Sequence, residues 1–164
     1  MRASRSHDPR AHTRAPTGRR RRLPRVPHHV SRGEVTEGKV DLTGYCMGAR
    51  LAVLAAGMFP DRIGAVGGFH GGPLVTDSPD GPHLAAENIT AEIYFAHAGK
   101  DAHMTPEHVA QFDKALDDAS VRHRTETYEG VEHGFTQSDT AAYDAAADAR
   151  HYRELLALFD RNLR

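Results

Sequence analysis

The sequence predicts an α/β protein, a partial doubly wound and mostly parallel sheet flanked by helices. Three observations predict it. From about Gly33 onward, short β-branched and aromatic runs alternate with segments that are apolar at helical spacing, as strands joined by crossover helices require. The first strand passes into the first helix through a glycine-bracketed turn, Gly44-Tyr45-Cys46-Met47-Gly48. Residues Met1 to about Val30 show neither the strand nor the helix period, so the ordered part is expected to begin after them.

Taken in order, Val40 to Thr43 reads as a strand ending at Gly44. Gly48 to Met58 reads as a helix, with Leu51, Leu54, Ala55 and Met58 as its apolar stripe and Phe59-Pro60 as its stop. Ile63 to Phe69 is a glycine-rich second strand ending in His70-Gly71-Gly72. Pro73 to Pro82 is a loop by its Pro and Asp content. Ala91 to Ala96 is a third strand. Thr105 caps the next helix, with Pro106 at its first position and Val109, Phe112 and Leu116 on one face. Arg124 to Tyr128 is a fourth strand. A last helix runs from about Asp144 to Leu163, with Tyr152, Leu155, Leu156, Phe159 and Leu163 as its stripe. Right-handed crossovers would place helices on both faces, and ligands collect beyond the carboxyl ends of such strands.

At 164 residues the chain has room for one domain. No apolar run approaches the roughly 20 residues of a spanning helix, so no membrane partner is expected. Cys46 is the only cysteine, which excludes an internal disulfide and suits a reducing, cytoplasmic setting. The net charge of −1 hides an asymmetry. Residues 1–30 carry nine Arg against one acid, Asp8, for +8, which leaves −9 for the rest. Pro9, Pro16, Pro24 and Pro27 oppose any helix there, and the stretch has too little apolar surface to offset its ordering entropy. Residues 1–30 therefore read as a disordered Arg/Pro-rich tail and residues 31–164 as the domain. A solvated tail or a misassigned reading frame is preferred over nucleic-acid binding through Arg19 to Arg22. No apolar segment follows those arginines to make an export signal.

The chemistry concentrates at strand ends. Gly44-Tyr45-Cys46-Met47-Gly48 is the nucleophile-elbow pattern with Cys in place of Ser. Glycines two residues to either side of the nucleophile would relieve clashes in a tight strand-to-helix turn. Cys46 would stand at a helix N-terminus, where the dipole favours a thiolate. The backbone N–H of Met47 would face a developing oxyanion. Gly99-Lys100-Asp101 follows the third strand and Glu132-His133-Gly134-Phe135 the fourth, so both lie at the same sheet edge as Cys46. The order nucleophile, acid, histidine is that of the α/β-hydrolase fold. His133 can take the thiol proton and return it, and Asp101 can hold the imidazole. His97, Asp101, His103 and His108 lack a regular ligand spacing, so no metal is expected. His70 ends a strand near the presumed site, either lining it or serving the structure.

These residues resemble the dienelactone hydrolase family. The resemblance is closest from Lys39 to Ala52, around the Gly-Tyr-Cys-Met-Gly segment, and continues through Phe69-His70-Gly71-Gly72, Gly99-Lys100-Asp101 and Tyr128 to Phe135. It covers roughly residues 31–164 and implies a truncated α/β-hydrolase domain that works without metal or organic cofactor. It implies opening of an enol-lactone or cleavage of esters through an acyl-thiol intermediate. By motif position Cys46 matches the nucleophile, Asp101 the acid and His133 the base. The chain departs from the family in three respects. The elements that normally precede the elbow, which supply a second oxyanion donor, are absent. Gln137 stands where the family has a substrate-binding Arg, so small neutral esters are expected to be turned over at least as well as anionic lactones, unless Arg50 or Lys100 binds the carboxylate. Asp41 is an acid in a strand expected to be central, and Ala49 replaces a usual Gly.

The expected activity is hydrolysis of small-molecule esters or lactones through Cys46, His133 and Asp101, with Met47 as oxyanion donor. The alternative is a catalytically inactive fragment of such a hydrolase. Because a neighbour of the first strand is missing, self-association through an exposed sheet edge is expected.

Overall fold

The computed structural model describes residues 38–163. The basic stretch 1–30 lies outside them. Four strands, β1 (Val40–Tyr45), β2 (Ile63–Phe69), β3 (Glu92–Lys100) and β4 (His123–Glu132), alternate with helices α1 (Met47–Met58), α2 (Pro106–Asp118) and α3 (Ala145–Asn162). A short 3-10 helix, Pro82–Asn88, which the sequence pattern did not suggest, precedes β3. The strands pair in chain order, β1-β2-β3-β4, all parallel.

Burial along the sheet follows from this order. In β2 every residue but Gly64 is buried, and β3 is buried from Ile93 to Ala98. Such near-continuous apolar runs belong to parallel strands covered on both faces. One face carries α1, the 3-10 helix and α2, with Val53, Val66, Ile93, Phe95, Phe112 and Leu116 at its centre. The other carries α3, with Phe69, Tyr94, Phe135, Leu155 and Leu158. β4 is the far edge and is rich in charge, which disfavours further strand addition. Its outer residues Arg124 and Glu126 form ion pairs with Glu154 and Arg150 of α3.

Two helices bury a face different from the expected stripe. α1 buries Ala49, Ala52, Val53 and Ala56, while Leu51 and Met58 are exposed. Small residues face the sheet because the tight turn at Cys46 brings the helix close to it. Ala49 is fully buried against the sheet. α3 buries Ala147, His151, Leu155 and Leu158, and leaves Tyr152, Leu156 and Leu163 exposed. His151, which is not part of the expected stripe, packs among Phe69, Tyr45 and Tyr152. The cap at Thr105 follows the sequence, and the structure adds one at Asp144. Thr105 accepts the His108 N–H, and the Asp144 carboxylate accepts those of Ala146 and Ala147.

Among the described residues β1 pairs only with β2 and is thus an end strand of the described four-stranded sheet. Asp41 on β1 is half-buried there, and burial raises its carboxyl pKa.

Candidate active site

Cys46 sits between β1 and α1 with φ 52° and ψ −120°, a conformation that L-residues rarely adopt. Neighbouring backbone holds it there. Its N–H donates to the Phe69 carbonyl at 3.2 Å, and its own carbonyl accepts from Gly72 N–H at 3.1 Å. The end of β2 thus grips the turn from both sides. A Cβ on Gly44 would lie 2.3 Å from the Gly48 carbonyl oxygen, so only glycine fits. Gly48 differs from expectation, for a Cβ there meets nothing within 4 Å. The turn depends on the first glycine, not on both.

The acid and the histidine come from the next two strand ends. β3 ends at Lys100 and Asp101 follows; β4 ends at Glu132 and His133 follows. Between the paired positions Ala98–Tyr128 and Lys100–Glu132, β4 carries more residues than β3, with Gly130 at φ 78°. This bulge bends the end of β4 and re-aims the segment that carries His133. His133 Nδ1 lies 2.6 Å from Asp101 Oδ2, and His133 Nε2 lies 3.0 Å from Cys46 Sγ. A carboxylate only accepts, so Nδ1–H donates to Asp101 and Nε2 is left to accept the thiol proton. Asp101 is buried, and its second oxygen accepts the His103 backbone N–H at 2.8 Å. The structure therefore brings the three sequence-selected side chains into one hydrogen-bonded chain.

That chain opens on a cavity of about 430 Å³ lined by Cys46, Met47, Arg50, Leu51, Gly72, Pro73, His103 and His133. Met47 is the first residue of α1, where a backbone N–H has no intrahelical acceptor. Leu51, expected in the core, forms the cavity wall instead, which accounts for its exposure. Arg50 donates to the Pro73 carbonyl at 3.3 Å and brings the only fixed charge in the lining. Gln137 lines a different cavity, with Tyr45, Thr136, His151 and Tyr152.

The remaining histidines separate by environment. His70 is fully buried, with its ring edge-to-face on His133 at 5.1 Å and its Nε2 2.9 Å from Thr136 Oγ1. Burial, and then the neighbouring His133, lower its pKa to about 4. His97 is buried between Phe95 and Phe112, and burial lowers its pKa to about 4. Neither ring nitrogen of His97 has a hydrogen-bond partner among the described residues. His103 faces the cavity beside His133. Residues close in sequence are thus split, with His97 in the core, Asp101 in an ion pair, His103 on a cavity wall and His108 in the first turn of α2. Among the described residues no cluster of three or more His, Cys, Asp or Glu could hold a metal ion. None of their helices is long and apolar enough to cross a membrane.

Comparison with known proteins agrees with this architecture. A protein of Aquifex pyrophilus, "Protein usf", is 36% identical over 97 residues, covering 59% of this chain and 39% of that protein. A "Putative carboxymethylenebutenolidase" of Yersinia pestis is 27% identical over 141 residues, covering 84% of this chain and 52% of its own length. The chain thus spans about two-fifths to one-half of these relatives. Among solved structures, a dienelactone hydrolase-type protein from Klebsiella pneumoniae superposes with a TM-score of 0.72 at 22% identity, over 79% of this chain and 55% of that one. The dienelactone hydrolase-like promiscuous phosphotriesterase P91, from metagenomic libraries, superposes with a TM-score of 0.68 at 23% identity, over 81% of this chain and 56% of that one. At these identities the superpositions speak to the fold alone, which is that of an α/β hydrolase. The sequence as a whole matches the dienelactone hydrolase family over residues 7–163, a span that reaches into the basic stretch set apart above. The chain belongs to the dienelactone hydrolase family.

Proposed function

We propose that this protein hydrolyses small-molecule carboxylic esters or lactones by thiol catalysis. The observation that carries the reading is the continuous chain from Cys46 Sγ through both nitrogens of His133 to Asp101, at 3.0 and 2.6 Å, beside a cavity. His133 Nε2 takes the thiol proton while Asp101 stabilises the imidazolium. The thiolate adds to the carbonyl carbon, and the Met47 N–H faces the oxyanion that forms. Collapse expels the alcohol with the proton from His133 and leaves an acyl-thiol. Water, deprotonated by His133, then releases the acid and restores the thiol.

The fixed charge of Arg50 favours substrates that carry a carboxylate. The same reading includes a cytoplasmic setting, where a lone thiol stays reduced. It also includes a second copy pairing along β1, whose outer edge has no strand partner among the described residues.

The test uses aryl acetates and intact-protein mass spectrometry. Turnover with a transient acyl adduct on Cys46 is expected, with both lost in Cys46→Ala. In His133→Ala, alkylation of Cys46 by iodoacetamide should slow about tenfold or more. Hydrolysis that survives Cys46→Ala, or a Cys46 alkylated only in denaturant, would overturn the mechanism. Absence of any Cys46-dependent hydrolysis would favour the alternative, an inactive fragment of such a hydrolase.

A further inference from the structure

We infer that His103 is a second substrate-contacting imidazole, one that hydrogen-bonds the departing oxygen and sets which alcohols the site can expel. The inference rests on the thiol-hydrolase reading above. In that reading the proton for the leaving group comes from His133 Nε2, so the leaving group departs beside His133. The ring of His103 stands edge-to-face to that of His133, with centroids 5.8 Å apart, and lines the same cavity as Cys46. It therefore borders the side from which the alcohol leaves.

Two features suit His103 to the task. Its ring nitrogens have no hydrogen-bond partner among the described residues, whereas both nitrogens of His133 are engaged. Its backbone is anchored, because its N–H donates to Asp101 Oδ1 at 2.8 Å. The same Asp101 carboxylate thus holds the His133 ring and the His103 backbone. A neutral imidazole keeps one N–H donor, whichever tautomer it adopts.

In the step concerned, the tetrahedral adduct collapses. The carbonyl double bond re-forms, the carbon–oxygen bond to the alcohol breaks, and its electron pair stays on the departing oxygen. The proton from His133 Nε2 goes to that oxygen. His103 donates a hydrogen bond and transfers no proton. Such a bond strengthens with the negative charge that the oxygen carries in the transition state. It matters most for alkoxides and enolates of weakly acidic alcohols, and least for activated phenolates. The substrates served are unactivated alkyl esters and lactones.

The experiment measures kcat/KM on acetate esters of graded leaving-group pKa, from p-nitrophenyl to ethyl, for the full chain, His103→Phe and His103→Gln. In His103→Phe the loss on the ethyl ester should exceed the loss on the p-nitrophenyl ester by about tenfold or more, which steepens the leaving-group dependence. His103→Gln, which keeps a donor, should recover part of the loss on the ethyl ester. Equal losses across the series, or no loss, would overturn the inference while leaving Cys46-dependent hydrolysis intact. Turnover that survives Cys46→Ala would instead remove the reading on which it rests.

Discussion

Arg50 lies one helical turn beyond Cys46, and that placement bears on which substrates the cavity can hold. In the sequence, position 137 governed the question, and Gln137 argued for neutral esters. Gln137 lines another cavity, so the charge partner has to be sought among residues that line the one beside Cys46. Arg50 is the fixed positive charge in that lining, and one of its nitrogens donates to the Pro73 carbonyl. A charge-assisted hydrogen bond contributes about 1.5–3 kcal/mol, or roughly ten- to hundredfold in kcat/KM. Arg50→Gln should therefore lower kcat/KM for a carboxylate-bearing ester by about that factor. A neutral ester of the same shape should change less than about threefold. Paired kinetics on a half-ester and its diester check this, and an equal effect on both would remove Arg50 from substrate binding.

At the scale of elements, the elbow shows how one glycine holds a strand and a helix in register. The space at Gly44 is closed by backbone, namely the Gly48 carbonyl at 2.3 Å and the Ala49 nitrogen at 2.6 Å from a would-be Cβ. Backbone cannot rotate away as a flexible side chain can. Gly44→Ala should cost about 3 kcal/mol or more, a fall in melting temperature on the order of 10 °C. It should also slow alkylation of Cys46, because the turn must open. Gly48→Ala meets open space in the first turn of α1, so stability should hold or rise by up to about 1 kcal/mol from helix propensity. Thermal melts of the two variants side by side check the contrast, and equal losses would mean that α1 does not lie as close to β1 as the structure has it.

At the scale of the whole molecule, the two-faced core contains histidines that fold neutral. His70 and His97 each have a folded pKa of about 4 against an ordinary 6.5. Below 6.5 the unfolded chain binds protons that the folded chain refuses, so stability falls as pH drops toward 4 and levels off beneath it. Each such histidine contributes a slope of at most about 1.4 kcal/mol per pH unit in that window. Carboxylates titrate there too, so the informative quantity is a difference between variants. His97→Leu, which lies away from the Cys46 cavity, should flatten the slope by close to one proton. Urea melts from pH 7 to pH 4 measure it, and a slope identical to that of the unaltered chain would show that His97 is not the buried neutral group described.

Read alone, the sequence determined the alternation of strands and helices, the cap at Thr105, and the chain order of Cys46, Asp101 and His133. These are local properties, set by periodicity, by side chains that bond their own backbone, and by motifs a few residues long. Parallel strands joined by crossovers then carry the three strand ends to one edge. The tertiary structure decided the rest. Which face of α1 and α3 is buried depends on how closely each helix approaches the sheet, and this exchanged Leu51 for Ala49 and Leu156 for Leu158. The bulge at Gly130, the core position of His97 and the placing of Arg50, His103 and Gln137 around two separate cavities leave no local signature. They arise where residues distant in the chain compete for the same volume, and only packing resolves that competition.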